Sequence, residues 1–313
     1  MLSQKQVESY REDGYITVRA VFPSEQIAAL RQVADEFVEQ SRAASEHTAD
    51  FDLEPGHSAA APRLRRLKHP EALHPAFDEV FRDERVVEMV AQLVGPAVRH
   101  FGGKLNMKSA AFGSAVEWHQ DHAFAPRSND DVLAVGIPLD DMDRENGCLL
   151  VVPGSHRGPI YSHYQGDTFA GAVTDPGFEP DPVVPVELKA GDISIHHGRL
   201  LHASRPNTNP ERSRRLYLGQ YCAADAWPLK NIDSTRDNRD ANMLRGTAPD
   251  APRYADIPPV PMPDNPRMGA GGSIYENQTE MKRRPLAKPS SERATQRRRR
   301  PQGHGPAAPQ GPR

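Results

Sequence analysis

The chain has 313 residues, a formal net charge of −3, two cysteines and 30 prolines, and 37% of its residues are hydrophobic. Cys148 and Cys222 are too few for a disulfide scaffold, so free thiols in a reducing compartment are expected, and the near-neutral charge gives no general attraction to nucleic acid or membrane. No apolar run approaches the roughly 18 residues of a spanning helix, and the polar start MLSQKQVESYREDGY lacks a signal peptide's apolar stretch, so a cytoplasmic protein is expected.

YITVRAVF (15–22) reads as a short strand or extended entry. Ser24 then begins a helix, with Glu25 favouring its positive end. Ile27, Leu30, Val33, Ala34 and Phe37 recur at helical spacing and form its core-facing stripe. Residues 41–62 are polar, with glycine and proline, and read as a loop. The basic cluster Arg63, Arg65, Arg66 and Lys68 reads as a solvated helix or loop face, with contact to an anionic group as the alternative. A second helix spans 82–94, with Val86, Val87, Val90 and Leu93 buried, and Gly95-Pro96 stops it. After residue 98 come short apolar runs separated by turn residues: Val132–Leu139, Cys148–Val152, Val183–Leu188, Asp192–His196 and Arg214–Cys222. Regular intervening helices are missing, so an antiparallel barrel or double sheet with N-terminal helices is expected. Residues 224–248 read as a cap or irregular loop and 249–270 as a proline-rich extended segment. The expected organisation is one catalytic domain over 1–280 and a basic, disordered tail over 281–313, which includes Arg297–Arg300.

The densest chemical signal is Trp118-His119-Gln120-Asp121. On an extended strand, His119 and Asp121 project from the same face. An imidazole and a carboxylate begin a donor set for Fe(II), and a second imidazole would complete a facial triad with open positions. An isolated H-x-D is weak and equally describes a polar pair on a strand edge. Downstream, GDISIHHGRLLHAS offers three candidates for the third donor, His196, His197 and His202. Arg214, Leu216 and Leu218 share one strand face, so the guanidinium points inward and needs a partner. That partner is either the distal carboxylate of a 2-oxo diacid or an internal acidic residue. Phe112, Trp118, Phe124 and Arg127 cluster in sequence around the H-x-D and suit a substrate pocket with an apolar wall and one cation.

Taken together, EDGYITVRAVF, WHQD, ENGCLLVVPGSHRG and the GD…HHGRLLHAS…RRL region make the chain resemble the phytanoyl-CoA dioxygenase family of Fe(II)/2-oxoglutarate oxygenases over about residues 8–222. The resemblance implies a mainly β fold with flanking helices, a double-stranded β-helix or jelly roll. It assigns iron to His119, Asp121 and His202, and 2-oxoglutarate to Arg214, about a dozen residues past the distal histidine, with Arg215 as the rival neighbour. Ser204 and one or both of Lys104 and Asn106 are the further cosubstrate contacts it implies. His196 and His197 become hydrogen-bonding or strand-end residues, His122 a neighbour of the site and His156 a turn residue. The implied activity is hydroxylation of an aliphatic carbon in a small molecule, using dioxygen and releasing succinate and CO2. Retention of Asp121 disfavours halogenation, while desaturation, cyclisation and epimerisation share the same chemistry. The expected partners are a small-molecule substrate and dioxygen, with no specific nucleic acid and no membrane. The alternative from another class is a metal-binding jelly-roll protein without turnover, and Arg214 is the residue that separates the two.

Overall fold

The computed structural model describes residues 1–229, 240–267, 274–279, 281–282 and 284–286. Helix α1 (Gln4–Asp13) opens with a reciprocal capping box between Ser3 and Gln6 and closes at Gly14, whose φ of 78° a Cβ would oppose. Helix α2 (Ser24–Gln40) buries the five residues of its predicted stripe. Short helices α3 (Pro70–Leu73) and α4 (Pro75–Phe81) each begin with proline, which lacks an N–H where the first turn needs none. Helix α5 (Glu84–Val94) is capped by Asp83, whose side chain accepts from the Arg85 N–H.

Two antiparallel sheets carry the site. The larger contains β1 (Tyr15–Val18), β2 (Phe51–Leu53), β3 (Leu64–Lys68), β4 (Val98–Lys108), β6 (Val132–Pro138), β11 (Ile193–His197) and β13 (Arg214–Ala223). Its order is β1-β11-β6-β13-β4-β3-β2, and β14 (Met243–Arg245) pairs with β4 off that path. The smaller has the order β10-β7-β12-β5, from β5 (Val116–His119), β7 (Leu149–Val151), β10 (Val184–Val186) and β12 (His202–Ser204). A separate hairpin joins β8 (Tyr164–Gln165) to β9 (Thr168–Phe169). The molecule is therefore a mixed α/β fold of two main sheets flanked by helices.

The period of two along the strands sorts side chains into layers. On β13, Tyr217 and Tyr221 face the helices, where their hydroxyls donate to the carbonyls of Phe77 and Phe81 at 3.2 and 2.9 Å. Leu216 and Leu218 face the other way and pack with Leu149, Val151 and Val186 of the small sheet. On the small sheet's far side, Trp118, Leu150, Val152, Leu201 and Ala203 are joined by Leu286, which is 3% exposed. Burying a leucine is worth roughly 1.5–3 kcal/mol, so the packed chain extends to that residue.

Two stretches differ from the sequence reading. The 41–62 loop contains β2. The basic segment expected to be solvated is β3, a strand between β2 and β4. Leu64 and Leu67 anchor it in the core, and Arg65, 4% exposed, pairs with Glu54 at 3.0 Å. Most of the predicted tail, 287–313, and much of the predicted cap, 230–239, lie outside the described residues. Among the described residues, no helix is long and apolar enough to cross a membrane.

Candidate active site

Strand β5 ends on His119, which lies opposite His202 of β12 in the antiparallel register. Gln120 stays extended, with φ −127° and ψ 125°, and Asp121 starts a 3-10 turn. This keeps the aspartate on the same side as His119. One donor atom from each of His119, Asp121 and His202 lies within 4.8 Å of the others, the only such group of three among the described residues. Asp121 Oδ1 is 3.9 Å from the Nε2 of both histidines.

The ring nitrogens are oriented for this task. His119 Nδ1 is 2.8 Å from the Glu117 carbonyl and His202 Nδ1 is 2.9 Å from the Leu200 carbonyl. Each Nδ1 donates to its carbonyl, leaving the Nε2 lone pair directed at the shared point. Burial pushes His202 down to about 4 and His119 well below its usual range, so both rings are neutral at neutral pH. Burial alone would raise Asp121, but Lys104, His202, His196 and His119 outweigh it and hold the carboxylate ionised. Two neutral imidazoles and one carboxylate are a donor set that Fe(II) accepts.

The rival histidines separate by strand face. His196 faces the site, with Nε2 3.7 Å from Asp121 Oδ2 and its ring centroid 4.6 Å from that of His202. His197 points away, with its ring centroid 5.1 Å from that of His156 and Nε2 3.9 Å from Asp130. His122 is buried, does not line the cavity that holds the triad and donates its backbone N–H to the Gly198 carbonyl at 2.8 Å, and His156 sits in the turn Ser155–Arg157 with Nε2 3.2 Å from the Arg11 carbonyl.

The inner faces of the two sheets enclose a cavity lined by the triad together with Lys104, Asn106, Ser204 and Arg214. In the register, Arg214 pairs with Lys108, Leu216 with Asn106 and Leu218 with Lys104, so these polar groups share one face. Arg214 is 2% exposed, and its Nε and Nη2 donate to the Gly147 carbonyl at 3.2 and 2.7 Å. Among the described residues it makes no ion pair, so the internal acidic partner allowed by the sequence is not found there. Arg215 faces the opposite way and is engaged by Asp140 at 2.8 Å and Asp35 at 2.6 Å. Asn106 Oδ1 is buried without a hydrogen-bond partner.

A second cavity meets the first at Lys104, Asp121 and Ile274 and continues past Phe124 to Arg66, Lys68 and Gln220. Of the four aromatic and cationic residues expected to form a substrate pocket, Phe124 lines it. Trp118 does not, because it alternates with His119 and joins the far-side core against Phe178. Phe112 is 53% exposed under the Arg63 guanidinium. Arg127 is buried over the Phe101 ring and donates to the Ala226 carbonyl at 2.9 Å. Sequence proximity to the H-x-D misled here, because the chain turns away after Asp121.

Sequence reasoning gave no site role to the C-terminal helix Ile274–Thr279. Ile274 and Tyr275 line the first cavity. The Gln278 side chain accepts from the Glu117 N–H at 2.9 Å and donates to the Gly171 carbonyl at 2.7 Å. The Glu117 carboxylate accepts the Leu286 N–H at 2.9 Å, which ties this segment to the strand that carries His119.

The Phytanoyl-CoA dioxygenase (PhyH) family profile matches residues 10–216. A "Probable alpha-ketoglutarate-dependent hypophosphite dioxygenase" of Stutzerimonas stutzeri is 31% identical over 285 residues, covering 89% of this chain and 97% of that protein. The ectoine dioxygenase of Bordetella parapertussis is 27% identical over 235 residues, 69% of this chain and 74% of its own. Among solved structures, the epimerase SnoN in complex with Fe3+, alpha ketoglutarate and nogalamycin RO superimposes with a TM-score of 0.58 at 25% identity, over 81% of this chain and 96% of that one.

Proposed function

The chain belongs to the phytanoyl-CoA dioxygenase family and is an Fe(II)- and 2-oxoglutarate-dependent dioxygenase acting on a small metabolite; from that premise we propose that it hydroxylates an aliphatic carbon, releasing succinate and CO2. One observation carries the reading: a complete His119, Asp121, His202 donor set and a buried arginine with no ion pair among the described residues line the same cavity. When bound, iron and cosubstrate supply the activation of dioxygen through oxidative decarboxylation. The protein's part is positioning and exclusion of water. The backbone carbonyls of Glu117 and Leu200 fix the two imidazoles. Arg214, steadied by Gly147, presents the rest of its fork to the distal carboxylate of 2-oxoglutarate. On β4, Asn106 lies two residues from the position opposite Arg214, roughly 7 Å along the strand, within reach of a diacid held by the arginine, while Lys104, two residues further on, also faces the second cavity. Ser204 and Asn106 offer hydrogen bonds along the way, and Leu216, Leu218 and Leu149 form the apolar walls. In this reading the two sheets are the halves of a double-stranded β-helix, and the buried unpaired Cys148 and Cys222 fit a cytoplasmic enzyme.

The name of the Stutzerimonas relative favours a second reading within the same class, oxidation of a phosphorus-bound hydrogen. A screen of organic metabolites and phosphorus oxyanions with Fe(II), 2-oxoglutarate and labelled dioxygen tests both. The expected result is a product that gains one labelled oxygen with matching succinate. Loss of two hydrogens without label would replace hydroxylation by desaturation or cyclisation. Absence of succinate with every substrate from iron-loaded protein would support a binder without turnover.

A further inference from the structure

We propose that the second cavity selects a substrate bearing a compact oxyanion group, a carboxylate or a phosphorus oxyanion, held by Lys104 and Arg66 beside Asp121. The inference rests on the dioxygenase reading above and adds the chemical class of the substrate. Three cationic side chains, Arg66, Lys68 and Lys104, line this cavity, and among the described residues Asp121 is its only carboxylate. Asp121 is already committed to the metal.

Strand register sharpens the point. Lys68 on β3 lies directly opposite Lys104 on β4, and Arg66 lies opposite Asn106. Like charges facing one another across a sheet are destabilising, so an arrangement that keeps them together calls for a shared anion. One such anion is internal. Asp52 of β2, with its side chain 2% exposed, accepts from Arg66 Nη2 at 2.6 Å and from Lys68 Nζ at 3.0 Å. Lys68 is further held by the Thr48 carbonyl at 2.8 Å. A single carboxylate thus serves two cations, and Arg66 Nε remains buried without a hydrogen-bond partner. The Lys104 side chain makes no hydrogen bond or ion pair among the described residues, yet it borders both cavities. An ammonium there meets whatever enters from the second cavity next to the metal ligands. The oxidised position of the substrate accordingly lies close to its anionic group, and Phe101, Phe124 and Ile274 supply apolar lining.

The test is anaerobic calorimetric titration of the full chain loaded with Fe(II) and 2-oxoglutarate. The probes are hypophosphite, acetate and the uncharged acetamide. The expected result is that at least one anion binds, acetamide does not, and raising the salt weakens the anion. The first two arms distinguish a phosphorus oxyanion from a carboxylate. Lys104→Met and Arg66→Gln should each weaken the anion about tenfold or more, equivalent to about 1.4 kcal/mol. Asp52→Asn should tighten it, because it releases Arg66 and Lys68 from their internal partner. A merely structural role for the Asp52 pair predicts the reverse. Equal binding of acetamide and the anions, or anion affinities unchanged in both cation variants, would overturn the inference. Titration with 2-oxoglutarate alone keeps the two readings apart. If it fails to bind, the dioxygenase reading falls. If it binds tightly while the cavity ignores anions, only the substrate class falls.

Discussion

Arg214→Met isolates the contact on which the cosubstrate assignment depends. Methionine keeps most of the volume and removes the charge and the two hydrogen bonds to Gly147. Truncating one partner of a buried, hydrogen-bonded charge pair costs about 2–5 kcal/mol. A mid-range loss of about 3 kcal/mol is on the order of a hundredfold in Kd. Arg215→Met is the control, because that side chain faces Asp140 and Asp35 instead of the cavity. It should cost on the order of 1 kcal/mol of stability and leave cosubstrate affinity unchanged. Calorimetry with 2-oxoglutarate and with 2-oxobutanoate, which lacks the distal carboxylate, reads the effect. The wild-type preference for the diacid should collapse in Arg214→Met and survive in Arg215→Met. A preference ratio that does not move in Arg214→Met would refute the assignment, even if overall affinity fell.

Alanine at His119, Asp121 or His202 should abolish turnover and strongly weaken Fe(II) binding in equilibrium dialysis, whereas His197→Ala should be milder because that ring lies beside His156 and Asp130. A chain ending at residue 280 loses the buried Leu286, worth roughly 1.5–3 kcal/mol, so thermal melting should fall by several degrees, and Leu286→Ala in the full chain should reproduce most of that loss. Acid should destabilise the fold from pH 6.5 down to about 4 through His163, whose pKa burial lowers to about 4. The unfolded histidine, near 6.5, takes up its proton first, so stability falls as pH drops through that window, by about 2 kcal/mol at pH 5 for this group. Its Nε2 accepts the Gln120 N–H at 3.0 Å, so His163→Gln should flatten this part of the pH–stability profile measured by urea unfolding.

The sequence made the metal donors legible because their chemistry is local. His119 and Asp121 are two residues apart, and parity alone puts them on one face. Parity also aimed Arg214 inward. For the distal donor, the residues left three histidines open, and the family spacing chose His202, which the register then set opposite His119. What stayed hidden depended on contacts between distant segments. Nothing local tells that Arg66 and Lys68 sit on a strand inside a sheet rather than in a solvated patch, since Leu64 and Leu67, three residues apart, show no strand period and the pairing partners lie elsewhere. The same holds for Ile274, Tyr275 and Leu286, whose apolar character is ordinary until Glu117 and the small sheet give them something to cover.

The two cavities share Asp121 and Lys104, and that sharing links cosubstrate and substrate electrostatically. Lys104 is the leading attractive influence holding Asp121 ionised, and burial lowers the lysine's own pKa. An anion drawn to Lys104 would offset part of the positive field acting on that aspartate. Placing the cation on β4, a rigid central strand paired on both sides, fixes this coupling in the sheet itself.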